Sequence, residues 1–397
     1  MNWICCQIGA REHYAVARAL NKHGALERLV TDAWVRPNEA LARVRRSLRE
    51  RFHVQLTNAQ VSAANRGIMK FEVQAKIMRL NGWSRFMARN KWFQEMATST
   101  LSKIQSTGEP RTVFAYSYAA RDIFRLARAR GWRTVLGQID GGPLEERIVY
   151  GLHAEDQAAS AQWERPPVEY WANWREECAL ADRIVVNSSW SQNAIESEGI
   201  PASKIAVVPL AYEPSLEAVE FEREYPKAFT SSRPLRVLFL GSICLRKGVR
   251  PLFEAVSLLR SEAVEFWFVG ASDVPIPSEL RDDTRVHWIG HVRRSDTSKF
   301  YRNSDLFVFP TFSDGFGLTQ LEAQSWKLPI IATRYCGEVV EDGRNGLLLI
   351  EPTGTAIATA LQRCLEPERL REFAANTARP EKFSLTKVGT RLLHIFD

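Results

Sequence analysis

The sequence predicts an α/β protein made of two doubly wound, Rossmann-like parallel-sheet domains that face each other across a cleft. Three observations carry this expectation. Apolar runs of strand length alternate with helix-like segments from one end of the chain to the other. Those runs are apolar on both faces, as strands are when helices cover both sides of a parallel sheet. The third is length: 397 residues exceed the roughly 250 to 300 at which a single core stops growing.

The first series of strands reads NWICCQI, RTVFAY, WRTVLGQ, DRIVVNSS and KIAVVPL, interleaved with the helical segments AREHYAVARALNKHG, SYAARDIFRLARARG and WSQNAIESEG. The series resumes with LRVLFLG, VEFWFVG, RVHWIG, DLFVFPT and LPIIAT, separated by GVRPLFEAVSLLRS, TSKFYRNS and LTQLEAQSWK. Between the two lies a polar, acidic stretch with Pro and Ser and no apolar period, which predicts a linker. The expected division is residues 1–212, a linker at 213–233, a second domain at 234–380, and a last helix within 381–397 that can pack on either domain. Open sheets of this kind bind ligands beyond the carboxyl ends of their strands, so the site is expected between the domains.

Composition is that of an ordinary folded domain, 45% apolar and 25% charged. No apolar run approaches the ~20 residues that cross a bilayer, and the first residues read as a strand and turn rather than as a leader peptide. Six cysteines, at 5, 6, 178, 244, 336 and 364, form no CxxC pair, so reduced thiols and a cytoplasmic location are expected. The net charge of +7 is concentrated: residues 36–91 hold thirteen Lys and Arg against three acids, a local +10. Trp83, Phe86, Trp92 and Phe93 lie among those cations. That mixture suits the anionic inner face of a membrane, or else core aromatics on helices with solvated cationic faces. No nucleic-acid motif accompanies it.

Two stretches carry chemistry. In SDGFGLTQLEAQSW (313–326) a strand ends in a loop whose Gly315 and Gly317 permit close backbone approach. A helix then starts at Leu318, where free N–H groups favour an anion. Asp314 and Glu322 can both face the strand ends, as carboxylates accepting hydrogen bonds from vicinal hydroxyls. In FLGSICLRKG (239–248) a second strand passes through Gly241 to Arg246 and Lys247, which can neutralise a diphosphate. Hydroxyl-rich groups and a diphosphate are the parts of a nucleotide sugar.

The order LFLGSICLRKG, RVHWIGHV, YRNSDLFVFPTFSDGFGLTQLEAQSWKLPIIAT and CGEVVEDGRNGLLL resembles the donor-binding half of the family-4 retaining glycosyltransferases, which have the GT-B fold. EECALADRIVVNSSWSQNAIESEGIPASKIAVVPLAYE resembles the end of their first domain. The resemblance implies that Arg246 and Lys247 hold the diphosphate and stabilise the departing charge. It places Glu322 on the ribose, and Asp314 with Phe316, Gly317 and Leu318 around the sugar and diphosphate. His291 and Val292 would lie against the base, UDP or GDP type, and Gly9 would let the first domain approach the donor. The implied reaction is transfer of a sugar, with retention, to a hydroxyl acceptor on a glycan, a lipid-linked group or a small molecule; the chain has no D-x-D, so metal-independent transfer with no cofactor is expected.

The sequence departs from the family at three places: Asp314 where Glu is usual, Lys327 where Gly is usual, and Gln138 with Asp140 where a His is common. The acceptor side is therefore read only as His13, Gln138 and Asp140, with His13 either reaching the cleft or solvated on the first helix. A sugar-nucleotide epimerase, a glycosyl phosphorylase and a non-catalytic nucleotide-sugar binder stay open as alternatives. A dehydrogenase fits least, for want of a GxGxxG.

Overall fold

The structure is a computed structural model and describes residues 2–39, 48, 50–105, 108–156, 158–159, 163–377 and 381–397. It contains two parallel sheets. The first is built from β1 (Asn2–Gln7), β2 (Leu26–Thr31), β3 (Val61–Ala63), β4 (Arg111–Tyr116), β5 (Arg133–Gly137), β6 (Arg183–Val186) and β7 (Ile205–Val207), in the order β3-β2-β1-β4-β5-β6-β7. The second comprises β8 (Leu235–Leu240), β9 (Val264–Val269), β10 (Val286–Gly290), β11 (Leu306–Phe309), β12 (Ile330–Thr333) and β13 (Gly346–Leu349), in the order β10-β9-β8-β11-β12-β13.

Both orders reverse direction once, between β1 and β4 and between β8 and β11. Such switch points leave a crevice at the carboxyl ends of the two strands, because the following connections diverge to opposite faces. Every residue of β4, β11 and β12 is buried, as helix cover on both faces requires. The two-domain α/β fold expected from the alternation is what the chain forms.

Locally the chain differs from the sequence reading at its first turn. The helix expected from Ala10 begins only at Ala15. Residues 12–14 all have positive φ, at 51°, 52° and 60°. This tight turn seats Tyr14 in the core, edge-on to Trp34 at 5.4 Å. The stretch expected to be a structureless linker contains a short helix, Leu216–Glu220, capped by Ser215. It also holds Arg223, whose guanidinium donates to the carbonyls of Tyr301, Ser304 and Trp326 in the second domain.

The last helix, Leu385–Leu393, packs on the first domain against the helix Ala15–Lys22. Leu385, Val388 and Leu392 are buried there beside Ala19 and Leu20. Tyr212 N–H donates to the Phe383 carbonyl at 3.0 Å, so the outgoing and returning crossings between the domains run side by side.

In the basic region, residues 40–47 and 49 lie outside the described residues, including Arg43, Arg45, Arg46 and Arg49. The remainder contains two helices, Asn65–Ile77 and Gly82–Ser102. Of the two readings, the aromatics mainly follow the one in which they pack inside the domain. Phe93 is buried, Trp92 lies on Phe71 at 5.6 Å and Trp83 on Tyr170 at 4.9 Å, while Phe86 keeps 41% of its surface. The cysteines are unpaired, and all but Cys244 are buried. No helix among the described residues is long and apolar enough to cross a membrane.

Candidate functional site

The loops leaving β8 and β11 meet because those strands are neighbours in the sheet. Phe312 N–H and the Thr311 hydroxyl both bond the Arg246 carbonyl, at 2.9 and 3.1 Å. This stitching brings Arg246, Lys247 and Asp314 together. Arg246 Nη1 donates to the Ser313 carbonyl at 2.6 Å and to Asp314 Oδ2 at 3.3 Å, and Lys247 Nζ is ion-paired with the same oxygen. Burial opposes the Asp314 charge, but the Lys247 and Arg246 cations hold its carboxyl well below the usual range. Its other oxygen accepts from Phe316 N–H at 3.0 Å. The helix Leu318–Ser325 then starts at Gly317, φ 81°, without a side-chain cap. A Cβ there would lie 2.6 Å from the Phe309 ring, so both conformation and space demand glycine.

A residue that sequence reasoning missed completes the cluster from the other domain. Glu145, in the first turn of the helix Gly142–Glu155 after β5, accepts from the Ser313 hydroxyl at 2.7 Å. It lies 3.6 Å from Arg246 Nε. Burial first, and then the Asp140 and Asp314 carboxylates, push its pKa up to about 7 against the pull of Arg246. Arg246 loses solvation, yet Glu145 and Asp314 hold it protonated well above its ordinary range. The one local signal for Glu145 was its place in DGGPLE, a strand end with Pro opening a helix.

The domains touch tightly at this point. A Cβ on Gly315 would lie 2.2 Å from the Ile139 carbonyl oxygen. The Gly315 carbonyl accepts from the Ser188 and Ser191 hydroxyls at 2.9 and 3.2 Å, and Trp190 Nε1 donates to Ser313 Oγ at 3.0 Å. Residues 313–317 are thus held from both sides.

Glu322 faces a 380 Å³ cavity between the domains, with His13, Arg18, His53, Arg294, Tyr301 and Leu318 in its wall. Tyr301 Oη and Arg294 Nη2 donate to its two oxygens at 2.9 and 3.1 Å. Burial raises its pKa despite both partners. His13 sits on the tight turn rather than on the helix. Burial and the nearby Arg294, Arg18 and His53 lower it to about 4, so it is neutral at pH 7. Arg294 and Tyr301 were not anticipated; both follow the expected HV motif within ten residues.

The expected donor residues do not share one cavity. Arg246 lines a separate 640 Å³ cavity with Cys244, His153 and Ser272, and Lys247 and Asp314 belong to neither wall. The Asp314 pairing and the Gly315 contact account for this, since they fill the space between. Phe316 offers only backbone: its ring is buried, edge-on to Phe383 at 5.8 Å. His291 is exposed, and Val292 packs on the apolar cluster that includes Phe309 and Phe316. Gly241, φ 147°, has open space at its Cα, and its carbonyl oxygen lies where a Cβ on Gly270 would fall.

On the first-domain side, Gln138 is buried and used internally. Its Oε1 accepts from Trp174 Nε1 at 2.9 Å and its Nε2 donates to Asp140 Oδ1 at 2.9 Å. Its buried amide thus holds the Asp140 carboxylate, the other residue expected beside it. Asp140 Oδ1 also accepts from Tyr118 Oη at 2.5 Å and Gly142 N–H at 2.9 Å. Gly9 N–H donates to Asp32 Oδ1 at 2.9 Å. Gly9 lines a third cavity, within the first domain, and not the one holding Glu322. Among the described residues no group of three or more His, Cys, Asp or Glu is placed to hold a metal ion.

Comparison with known proteins bears on the second domain most directly. Residues 234–367 match the family described as glycosyl transferases group 1. The chain is 26% identical over 240 residues to the capsular polysaccharide biosynthesis glycosyltransferase CapM of Staphylococcus aureus, covering 55% of this chain and 62% of that protein. It is 26% identical over 208 residues to the D-inositol 3-phosphate glycosyltransferase of Paenarthrobacter aurescens, covering 48% of this chain and 51% of that protein. The matched stretches therefore span between half and two thirds of these relatives. Among solved structures, Anabaena HepE in complex with UDP superposes with a TM-score of 0.61 at 15% identity, over 99% of both chains. The sucrose-phosphate synthase of Thermosynechococcus elongatus gives 0.64 at 17%, over 100% of this chain and 98% of that one. At such identities the likeness is one of fold, and that fold is GT-B.

Proposed function

We propose that this protein, whose residues 234–367 match the glycosyl transferases group 1 family, transfers a sugar from a nucleotide-diphosphate sugar to a hydroxyl acceptor with retention of anomeric configuration. The observation that carries the reading is the convergence of Arg246, Lys247 and the uncapped helix start at Gly317 around Asp314, at the strand ends where this fold binds ligands. A diphosphate that took the place of the Asp314 carboxylate at Arg246 and Lys247 would meet two cations and the backbone N–H groups of the helix start, with Glu322 in the adjoining cavity for the ribose hydroxyls. The HepE structure was solved with UDP-glucose, which favours a UDP sugar as donor.

The chemistry follows from charge placement. The bond between the anomeric carbon and the diphosphate breaks as the acceptor oxygen attacks on the same face, and the acceptor proton passes to the departing diphosphate. Arg246 and Lys247 stabilise the charge that develops there, so no metal ion is needed. Glu145 and Asp314 keep the guanidinium in place before the donor arrives.

The protein works at a membrane surface in this reading. Met69, Val73 and Ile77 form a helical stripe with 36%, 57% and 75% exposure, flanked by Arg66, Lys70, Lys76 and Arg79. Apolar side chains bordered by cations suit an anionic bilayer.

The test is incubation with UDP- and GDP-sugars and a hydroxyl acceptor panel, following the anomeric proton by NMR. A new glycoside with the donor's anomeric configuration supports the proposal. An inverted product, or release of a sugar phosphate, contradicts it.

A further inference from the structure

Asp140, in the loop after β5, makes its three side-chain hydrogen bonds through one oxygen. Oδ1 accepts from the Tyr118 hydroxyl at 2.5 Å and from Gln138 Nε2 and Gly142 N–H at 2.9 Å each. A carboxylate that only helped to open the helix Gly142–Glu155 would need just the last of these. The Tyr118 hydroxyl is itself held by a strained backbone. Tyr118 has φ 74°, a left-handed conformation that a tyrosine keeps only where its surroundings enforce it. Here the buried Glu177 carboxylate enforces it, accepting from Tyr118 N–H at 2.6 Å and Ala120 N–H at 2.7 Å, while the ring stacks on Tyr170 at 4.5 Å. The second oxygen of Asp140, Oδ2, makes no hydrogen bond among the described residues, and it is open to solvent.

This oxygen lies at the seam between the domains. A Cβ on Gly315 would fall 3.3 Å from the Asp140 Cα, and one on Gly141 would fall 3.3 Å from Ser313 Oγ. Asp140 and Gly141 therefore run against the loop that carries Asp314, with Arg246 and Lys247 behind it. Three carboxylates meet here, and two are committed: Asp314 to Lys247, Arg246 and Phe316 N–H, Glu145 to the Ser313 hydroxyl and Arg246. Asp140 alone of the three has an uncommitted oxygen. We propose that Asp140 is a catalytic residue of the transfer, its free oxygen facing the sugar and stabilising the positive charge that develops on the anomeric carbon as the bond to the diphosphate breaks. This rests on the sugar-transfer reading above, and it moves Asp140 from the acceptor side to the reacting carbon. Bond breaking separates charge: the second domain supplies two cations for the diphosphate, and the first supplies a carboxylate for the sugar. Fixed in advance by three donors, that carboxylate needs no reorganisation when the charge appears. It forms no bond to the sugar. The acceptor oxygen takes the anomeric carbon, its proton leaves with the diphosphate, and Asp140 ends the turnover unchanged.

Asp140→Asn tests this, because the amide keeps an oxygen for the three donors and removes only the charge. Tyr118→Phe leaves Asp140 in place and removes one donor. Turnover of UDP- and GDP-sugars is measured with the hydroxyl acceptor panel and with water as acceptor, alongside calorimetry with UDP and GDP. Asp140→Asn should lower kcat about 100-fold, with the donor KM and the nucleotide affinity unchanged. The fall should be the same with water as with a panel acceptor, since the charge forms on the donor sugar. Tyr118→Phe should lower kcat about tenfold, again without a change in donor KM. A kcat within about threefold of wild type in Asp140→Asn, or a loss confined to the acceptor KM, overturns the proposal. If Asp140→Asn does not fold, Tyr118→Phe decides in the same way. Where the wild type transfers sugar and the variants match it, only this inference falls. Where the folded wild type neither binds a nucleoside diphosphate nor turns over any of these sugars, the sugar-transfer reading falls and takes this one with it.

Discussion

Replacing Glu145 by Gln should strip the pH dependence from donor binding. Glu145 lies 3.6 Å from one edge of the Arg246 guanidinium, and a diphosphate oxygen on another edge would stand roughly 6 Å from the carboxylate. At an effective dielectric constant of about 20, two like charges at that distance repel by about 3 kcal/mol. That equals about two pKa units. The bound diphosphate raises Glu145 further above its value of about 7, so binding above neutral pH draws in a proton. Affinity should fall about 25-fold from pH 7 to pH 9 in the wild type.

The amide keeps the Ser313 hydrogen bond without the charge, so Glu145→Gln should bind about equally well across that range. Calorimetry in buffers of different ionisation enthalpy measures both the affinity and the protons taken up; the nucleotide's own titration is common to both proteins and cancels. Stability carries the same sign. A carboxyl whose folded pKa exceeds its unfolded value stabilises the fold below the unfolded value, and that contribution is lost as pH rises through about 7. The variant should therefore be more stable than wild type at pH 8, by about 3 kcal/mol. Identical pH profiles for the two proteins would refute the electrostatic coupling of Glu145 to the donor site.

Other consequences are simpler. Gly315→Ala places a methyl against the Ile139 carbonyl and should loosen the domain contact at a cost of about 1 to 3 kcal/mol, seen as a larger radius of gyration and slower transfer. Leu392→Ala empties a fully buried site where the last helix meets the first domain, and should lower unfolding free energy by about 2 to 5 kcal/mol in denaturant titration. Ile77→Glu, at an exposed position, should leave stability unchanged and reduce co-sedimentation with anionic liposomes; unchanged sedimentation would remove the membrane contact.

The strands were legible because a strand buried on both faces leaves a continuous apolar run, as in RTVFAY and LFVFP. Arg246, Lys247 and Asp314 could be placed together because each follows a strand, and adjacent strands of a parallel sheet deliver their loops to one edge. Position in a loop does not say where a side chain turns. Phe316 and Gln138 both follow the carboxyl end of a strand, yet packing against Phe383 and the hydrogen bond from Trp174 draw them inward. Glu145 was hidden for a different reason: its partners come from the other domain, some 170 residues away in sequence.

The most direct test of nucleotide-sugar binding is thermal stabilisation by UDP, GDP, ADP, TDP and CMP at matched concentration, in wild type and in Glu322→Ala. A diphosphate at 100 times its dissociation constant should stabilise the wild type by about 2.7 kcal/mol, and the variant should lose most of that gain with its ribose contact. No stabilisation of the folded wild type by any of them would contradict the account.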